Sequence, residues 1–456
     1  MADSIYNEMM EYVDSKADWM LKNRRDFHKY AESGWHEVRT CSIIADHLVK
    51  LGLDKVLMGK ECFKADARMG LPDQEELDYV YNRALEQGAV PEYAPKFKDG
   101  FTAVIGIIET GKPGPVIGFR QDIDALGVFE DKGKDHKPAA NGYNSVNDGE
   151  MHACGHDGHA TIGMTVADTL MHFKDKLCGT VKLVFQPAEE GVRGARGIAE
   201  SGILDDVDYM IGVHMYDRNS EEDYVAGTHV NEEARKLGKP AIGLVYAKNM
   251  ANAKIDVYFH GQSAHAASPE KGNNAFLAAI TAAQAIYAIP RPSVGDSRIN
   301  IGQIEGGSGR NVVCDRVKMV MELRGFTQEA LTYTEAYARR IIENAAAMHG
   351  CTSEIKLMGA TACVLLDEPQ DFIEDLAKMG REKLGLVVAG PAAGSTSEDY
   401  SFMAQRVISH GGKSCFFHCL TDFPAPFHTT KFDISEEDLP NGAKFFCGAA
   451  FHLMGL

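Results

Sequence analysis

PVIGFRQDID at residues 115–124, HATIGMTVADTLMHF at 159–173 and VKLVFQPAEE at 181–190 decide the fold. The outer two are short, continuous apolar runs that close on polar residues, as buried strands do. The middle one is long and unbroken enough for a helix. TAVIGIIE (102–109) and DYMIGVHM (208–215) repeat the strand pattern on either side, and ARGIAESGIL (195–204) reads as another helix. Strands alternating with helices predict an α/β domain around a largely parallel sheet.

Upstream, residues 17–52 carry Trp19, Leu21, Phe27, Ile43, Ile44, Leu48 and Leu51 at roughly helical spacing and close on Gly52, so one amphipathic helix is expected there. Polar residues 69–100 predict a short surface helix between loops. Downstream the pattern changes. KIDVYFHG (254–261), NNAFLAAITAAQAIYAI (273–289), SRINIGQIEG (297–306), VVCDRVKMVMELRG (312–325), LTYTEAYARRIIENAAAMHG (331–350) and TSEIKLMG (352–359) read β-α-β-β-α-β. That is the order of a ferredoxin-like unit. The expected organisation is a first catalytic segment over 1–248, an inserted domain over 249–359 and a second catalytic segment over 360–456.

Composition narrows the function classes. The 456 residues suffice for about two to four domains. Lys+Arg 47 against Asp+Glu 65 leaves a net charge of −18, which opposes non-specific binding to nucleic acid or anionic membranes. The opening MADSIYNEMMEYVDSK lacks the apolar core of a secretory signal, and no apolar run reaches membrane-spanning length, so a cytoplasmic protein is expected. The ten cysteines are scattered from Cys41 to Cys447 without repeating spacing, as reduced, buried residues would be.

Chemistry collects at the strand ends. Residues 115–124 deliver Asp122 and Asp124, 181–190 deliver Glu189 and Glu190, and 208–215 deliver His214. In open α/β sheets ligands bind at the carboxyl ends of strands. In MHACGHDGH (151–159), Cys154 and His156 are two apart, so in an extended loop their donors face one way. Thiolate and imidazole suit a first-row transition metal; a redox loop or half of a structural zinc site are the competing readings. The adjacent Glu189 and Glu190 could divide between metal binding and proton transfer, or simply form the acidic start of a helix. CFFHC (415–419) reads as a buried apolar strand.

FRQDIDAL, HACGHDGH, FQPAEEG, RGARGI, GVH, GQSAHAASPEKGNNA, GGSGRNVV, SEDYSFM and FHTTKFD occur in this order along the chain. The set resembles the amidohydrolase branch of the dinuclear aminoacylase/carboxypeptidase metallopeptidases, over roughly residues 20–450. The resemblance implies a zinc-peptidase-like catalytic domain interrupted by a dimerisation domain. It also implies two divalent ions, manganese or zinc, held by Cys154, His156, Glu190, His214 and His428, with Cys154 in the bridging place. Arg120 stands where other relatives have a ligand histidine, and His156 would replace it. Glu189 would be the general base, Asp122 would orient a ligand, and His265 would supply the oxyanion donor across a subunit boundary. Asn300, Arg324 and Asn311, expected on strands of the inserted domain, would contact the substrate carboxylate.

RRDFHKYAESGW (24–35) and RMGLPD (68–73) narrow the resemblance to members acting on p-aminobenzoyl-glutamate, so cleavage to p-aminobenzoate and glutamate is the expected reaction. Alternatives are a broader N-acyl-amino-acid or dipeptide hydrolase, and a chain that needs a homologous partner. A homodimer or such a heterodimer is expected.

Overall fold

A computed structural model of the chain describes residues 2–219, 232–365, 371–394 and 398–455. In chain order its strands are β1 (Lys55–Met58), β2 (Val104–Glu109), β3 (Val116–Asp122), β4 (Thr180–Gln186), β5 (Tyr209–Asp217), β6 (Ile242–Asn249), β7 (Ala251–His260), β8 (Ser297–Gly306), β9 (Arg316–Gly325), β10 (Thr352–Thr361), β11 (Val364–Leu365), β12 (Val388–Gly394) and β13 (Lys413–Thr421). The chain divides into two compact units. One comprises Met1–Glu190, Gly194–Lys248 and Leu366–Leu456; the other comprises Gly191–Arg193 and Asn249–Leu365.

The first unit is built on a sheet ordered β1-β2-β4-β3-β5-β13-β6, with β12 also paired to β6. The central run β4-β3-β5-β13 is parallel, flanked by antiparallel pairings to β2 and β6. Both faces of β3 and β4 are buried, which explains their continuous apolar sequence. CFFHC is the interior of β13, with Cys415 and Cys419 both buried. Between β3 and β4 runs the helix His156–His172, buried along nearly its whole length. Its threonines are tolerated because Thr161, Thr165 and Thr169 donate to carbonyls one turn back at 2.8, 2.9 and 2.9 Å. Gly163 brings this helix close to the sheet: a Cβ there would lie 2.7 Å from the Phe185 ring and 2.8 Å from the Gln121 amide.

The single helix expected over 17–52 is instead two, Ala17–Lys29 and Val38–Leu51. The break has a polar cause. Buried Glu32 accepts from the backbone N–H groups of Arg39 and Thr40 at 2.9 and 2.8 Å, satisfying the start of the second helix from outside it. Trp35 takes a left-handed φ of 73° in the connecting turn. The helix expected over 195–204 is shorter, Ala195–Ala199.

The second unit has a four-stranded antiparallel sheet ordered β10-β7-β9-β8, the strand order of a ferredoxin-like fold. Helices Ala275–Tyr287 and Gln328–Met348 pack on one face, capped at their starts by Asn274 and Thr327. The core alternates along β7 through Ala253, Ile255, Val257 and Phe259 against Ala278, Ala282, Ile286 and Ile342. Gly191–Arg193 belongs to this unit because Ala360 N–H donates to the Val192 carbonyl at 2.8 Å. No helix among the described residues is long and apolar enough to cross a membrane.

Candidate metal centre and active site

Three neighbouring strands of the first unit direct their carboxyl ends to one place. β3 ends at Asp122 with Asp124 just beyond; β4 ends at Gln186 and leads through Pro187 and Ala188 to Glu189 and Glu190; β5 carries His214. Cys154 precedes the helix that begins at His156, and Gly155 between them has a φ of 88°. The pair is therefore not on an extended loop as the sequence suggests. A left-handed glycine turns the chain into the helix, and only glycine adopts that φ without strain. From far downstream, His428 docks on the same loop by donating its backbone N–H to the Ala153 carbonyl at 2.9 Å. Ala188 and His428 hold left-handed φ values of 51° and 59°, costing roughly 1–3 kcal/mol each, strain that is common at functional sites.

Several groups of donor atoms lie close together here, and two of the triplets share Cys154. Cys154, His156 and His214 make one set and Cys154, Glu190 and His428 the other, all donors in each lying within 4.8 Å of one another. Cys154 Sγ is 3.4 Å from His214 Nε2. Glu190 Oε1 is 3.6 Å from His428 Nε2 and 3.9 Å from His156 Nε2. His156 Nε2 is buried with no hydrogen-bond partner. A thiol, imidazoles and a carboxylate around that atom fit a first-row transition metal.

A shell of buried charge supports these groups. Asp122 Oδ1 accepts from His159 Nδ1, and Asp122 Oδ2 meets Arg120 Nη1 at 2.9 Å and lies 3.6 Å from His156 Nε2. His159 Nε2 in turn accepts from the Met215 backbone N–H at 2.6 Å, which locks its tautomer. Arg120, fully buried, donates to Gln186 Oε1 at 2.7 Å, Glu398 Oε1 at 2.8 Å and Asp399 Oδ1 at 3.3 Å. Asp399 Oδ2 accepts from the Gly194 and Ala195 N–H groups at 3.0 and 2.9 Å, holding the turn after Glu190.

Electrostatically the site is rich in carboxylates. Burial, then the Glu398 and Glu190 carboxylates, push Glu189 well above the usual range. Burial raises Glu190 to about 7 despite His156. The Cys154 thiol is pushed well above its ordinary value by burial and by Glu190 and Glu189. For His156 burial acts downward, but Asp122, Asp124 and Glu190 outweigh it and raise the imidazole to about 10. Burial, with His159 nearby, holds His214 well below its ordinary value. The cluster therefore attracts a cation, and a metal would displace protons from Cys154 and His156.

His265, Asn300, Asn311 and Arg324 lie in the second unit. His265 is exposed and bridges to Val312; its Nδ1 accepts from the Ala267 N–H at 3.0 Å, leaving Nε2 to carry the proton in the neutral ring. Asn311 is next to it, its carbonyl accepting from Ala266 N–H at 3.0 Å. Asn311 lies on a loop, not on a strand, because Gly306, Gly307 and Gly309 end β8 before it; Gly307 has a φ of 83°. Asn300 pairs with Glu322 across β8 and β9. The Arg324 guanidinium forks onto Glu322 at 2.9 and 3.1 Å, so a substrate carboxylate would compete with that acid.

The sequence places Asp124 at a strand end without a specific task, and gives no role to His159, Glu398 or Arg24. His159 stands inside a motif read for other residues, and Glu398 inside SEDYSFM, whose Ser397 lies outside the described residues. Arg24 opens RRDFHKYAESGW, a stretch read only for its overall likeness. It is fully buried on the helix Ala17–Lys29 and pairs with Asp157 at 2.9 Å, Asp433 at 2.6 Å and Glu436 at 3.3 Å.

Residues 118–452 match the sequence profile of Peptidase family M20/M25/M40. The chain is 41% identical over 432 residues to an indole-3-acetyl-aspartic acid hydrolase of Enterobacter agglomerans, covering 93% of this chain and 94% of that one. It is 40% identical over 434 residues to one subunit of the p-aminobenzoyl-glutamate hydrolase of Escherichia coli K12, covering 94% of each. Among solved structures, an aminobenzoyl-glutamate utilization protein from Klebsiella pneumoniae superposes with a TM-score of 0.77 at 34% identity over 97% of each chain.

Proposed function

Because the chain belongs to peptidase family M20/M25/M40, we propose that it hydrolyses the amide bond of p-aminobenzoyl-glutamate, releasing p-aminobenzoate and glutamate. The observation that carries the reading is the pair of donor triplets meeting at Cys154 beside Glu189 and Glu190. We assign one divalent ion, manganese or zinc, to Cys154, His156 and His214, and a second to Cys154, Glu190 and His428. When bound, the ions would polarise the amide carbonyl and acidify the attacking water.

The chain's own groups do the rest. The Glu189 carboxylate takes the proton of the attacking water and passes it to the departing amine nitrogen, whose bond to the carbonyl carbon breaks. Asp122 holds His159 and Arg120 and through them the floor of the site. His265, with Nε2 able to donate, is proposed to stabilise the tetrahedral oxyanion from a partner subunit. Asn300, Asn311 and Arg324 are proposed to receive the substrate carboxylate. The inserted unit is proposed to make the dimer. The Escherichia coli relative is named as one subunit of its hydrolase, which favours a homologous partner chain as much as a second copy.

A second reading, an indole-3-acetyl-aspartate hydrolase, is favoured by the 41% identity to that enzyme. Both conjugates join an aromatic acyl group to an acidic amino acid. The purified chain, stripped and reloaded with manganese or zinc, should release glutamate from p-aminobenzoyl-glutamate faster than it cleaves indole-3-acetyl-aspartate or N-acetyl-glutamate. The reverse order replaces the substrate assignment. Silence on every substrate, restored by a homologous partner chain, shows that a second subunit is required.

A further inference from the structure

The Asp124 carboxylate makes three bonds, each to a different part of the candidate centre. Oδ1 accepts from the Glu189 backbone N–H at 3.0 Å and faces His156 Nδ1 at 3.3 Å; Oδ2 accepts from the Glu190 backbone N–H at 2.9 Å. Asp124 is 1% exposed and lies just past the end of β3, which anchors it to the centre of the parallel sheet. With both oxygens already accepting from backbone amides, the carboxylate can only accept from the imidazole, so His156 Nδ1 carries a proton. The lone pair of the neutral ring is then on Nε2, the atom that has no hydrogen-bond partner.

We propose that Asp124 is a positioning residue that sets the His156 tautomer and, through the Glu189 and Glu190 amides, holds the proposed base and two proposed metal ligands in one register. It does so from a third chain segment: the imidazole belongs to the helix after Gly155, the two acids to the turn after β4. The turn needs such a clamp because Ala188, just before the acids, holds a left-handed φ of 51°. Asparagine cannot replace it. Its amide has one acceptor oxygen, so its NH2 must face a backbone N–H, and the donor left unpaired is that of Glu189 or Glu190. The inference rests on the assignment of His156 as a metal ligand.

The test uses the full chain, stripped of metal and titrated with Co2+ followed in the visible spectrum. Asp124→Asn should bind Co2+ about 10–100-fold more weakly than wild type, as loss of a ligand-orienting group does. Its kcat should fall more than its KM rises, because Glu189 is displaced from the water rather than from the substrate. In zinc-loaded, 15N-histidine-labelled wild type, the His156 signal, assigned with His156→Gln, should show protonated Nδ1. That measurement stands even where Asp124→Asn does not fold. A folded Asp124→Asn with wild-type Co2+ affinity and kcat, or a His156 ring protonated on Nε2, overturns the inference alone. Wild type that binds no Co2+, or His156→Gln that binds it as wild type does, overturns the metal assignment and the inference with it.

Discussion

Cys154 Sγ and His214 Nε2 lie 3.4 Å apart, although one residue precedes a helix and the other is inside the parallel strand β5. The contact exists because β5 runs beside β3, so His214 arrives at the level where the chain after β3 re-enters through Cys154. A sulfur and a ring nitrogen at this separation can share one ion.

Cobalt loading should therefore produce sulfur-to-metal charge-transfer absorption in the near ultraviolet, and Cys154→Ala should abolish it. Because Cys154 and His156 both hold protons in the metal-free site, loading releases them, and Co2+ should bind more tightly at pH 8 than at pH 6.5. A titration at the two pH values, with the released protons measured, checks this. Affinity independent of pH would contradict the assigned ligands.

Glu189→Gln should retain the metal and lose activity. General acid–base catalysis contributes about 10²–10⁴-fold, so kcat should drop by that order while the metal content of the variant stays at wild-type level. Loss of metal together with activity would make Glu189 a ligand rather than the base.

His265→Ala should lower kcat by about 100-fold or more, the loss typical of an oxyanion donor, with KM little changed. Steady-state kinetics on p-aminobenzoyl-glutamate distinguishes this from a binding residue, whose loss would raise KM instead.

Arg24→Met should destabilise the fold by about 3–5 kcal/mol, because Asp433 would lose its buried cation and Asp157 would be left with His28 alone. Urea unfolding measures the loss. Asp157 adjoins His156 and Asp433 follows His428 closely in the chain, so metal affinity should weaken as well.

Acid should unfold the protein through Glu150 and Glu436. Burial raises both carboxyls, but the His36 hydrogen bond and Arg83 outweigh it at Glu150, and the Arg25 hydrogen bond and Arg24 do so at Glu436, holding each at about 2. A folded value below the unfolded 4.5 adds stability that is complete above that pH and is lost as pH falls through 2. Each contributes on the order of 3 kcal/mol. Urea midpoints should fall steeply between pH 4.5 and 3, and Arg83→Met should flatten that decline.

The fold was legible where sequence period reports burial directly. The apolar runs within residues 115–124 and 181–190 belong to strands covered on both faces, and the β-α-β-β-α-β run of residues 254–359 became an antiparallel sheet with two helices on one face. The break at 30–37 was not legible. Its cause is Glu32, a polar residue whose two acceptor bonds to Arg39 and Thr40 interrupt what the apolar spacing alone continues.

The sequence by itself determined which residue types could bind a metal or move a proton, because thiol, imidazole and carboxylate chemistry travels with the side chain. It also determined the fold class, because the periodicity of apolar residues is local. The resemblance grouped the candidate ligands, but only tertiary structure decided the distances and supporting contacts among them. Cys154 serves two triplets, His428 joins through a backbone bond to Ala153, and Asp124 rather than Asp122 faces His156 Nδ1. Strand order and register set such distances between segments tens to hundreds of residues apart, and no local pattern encodes them.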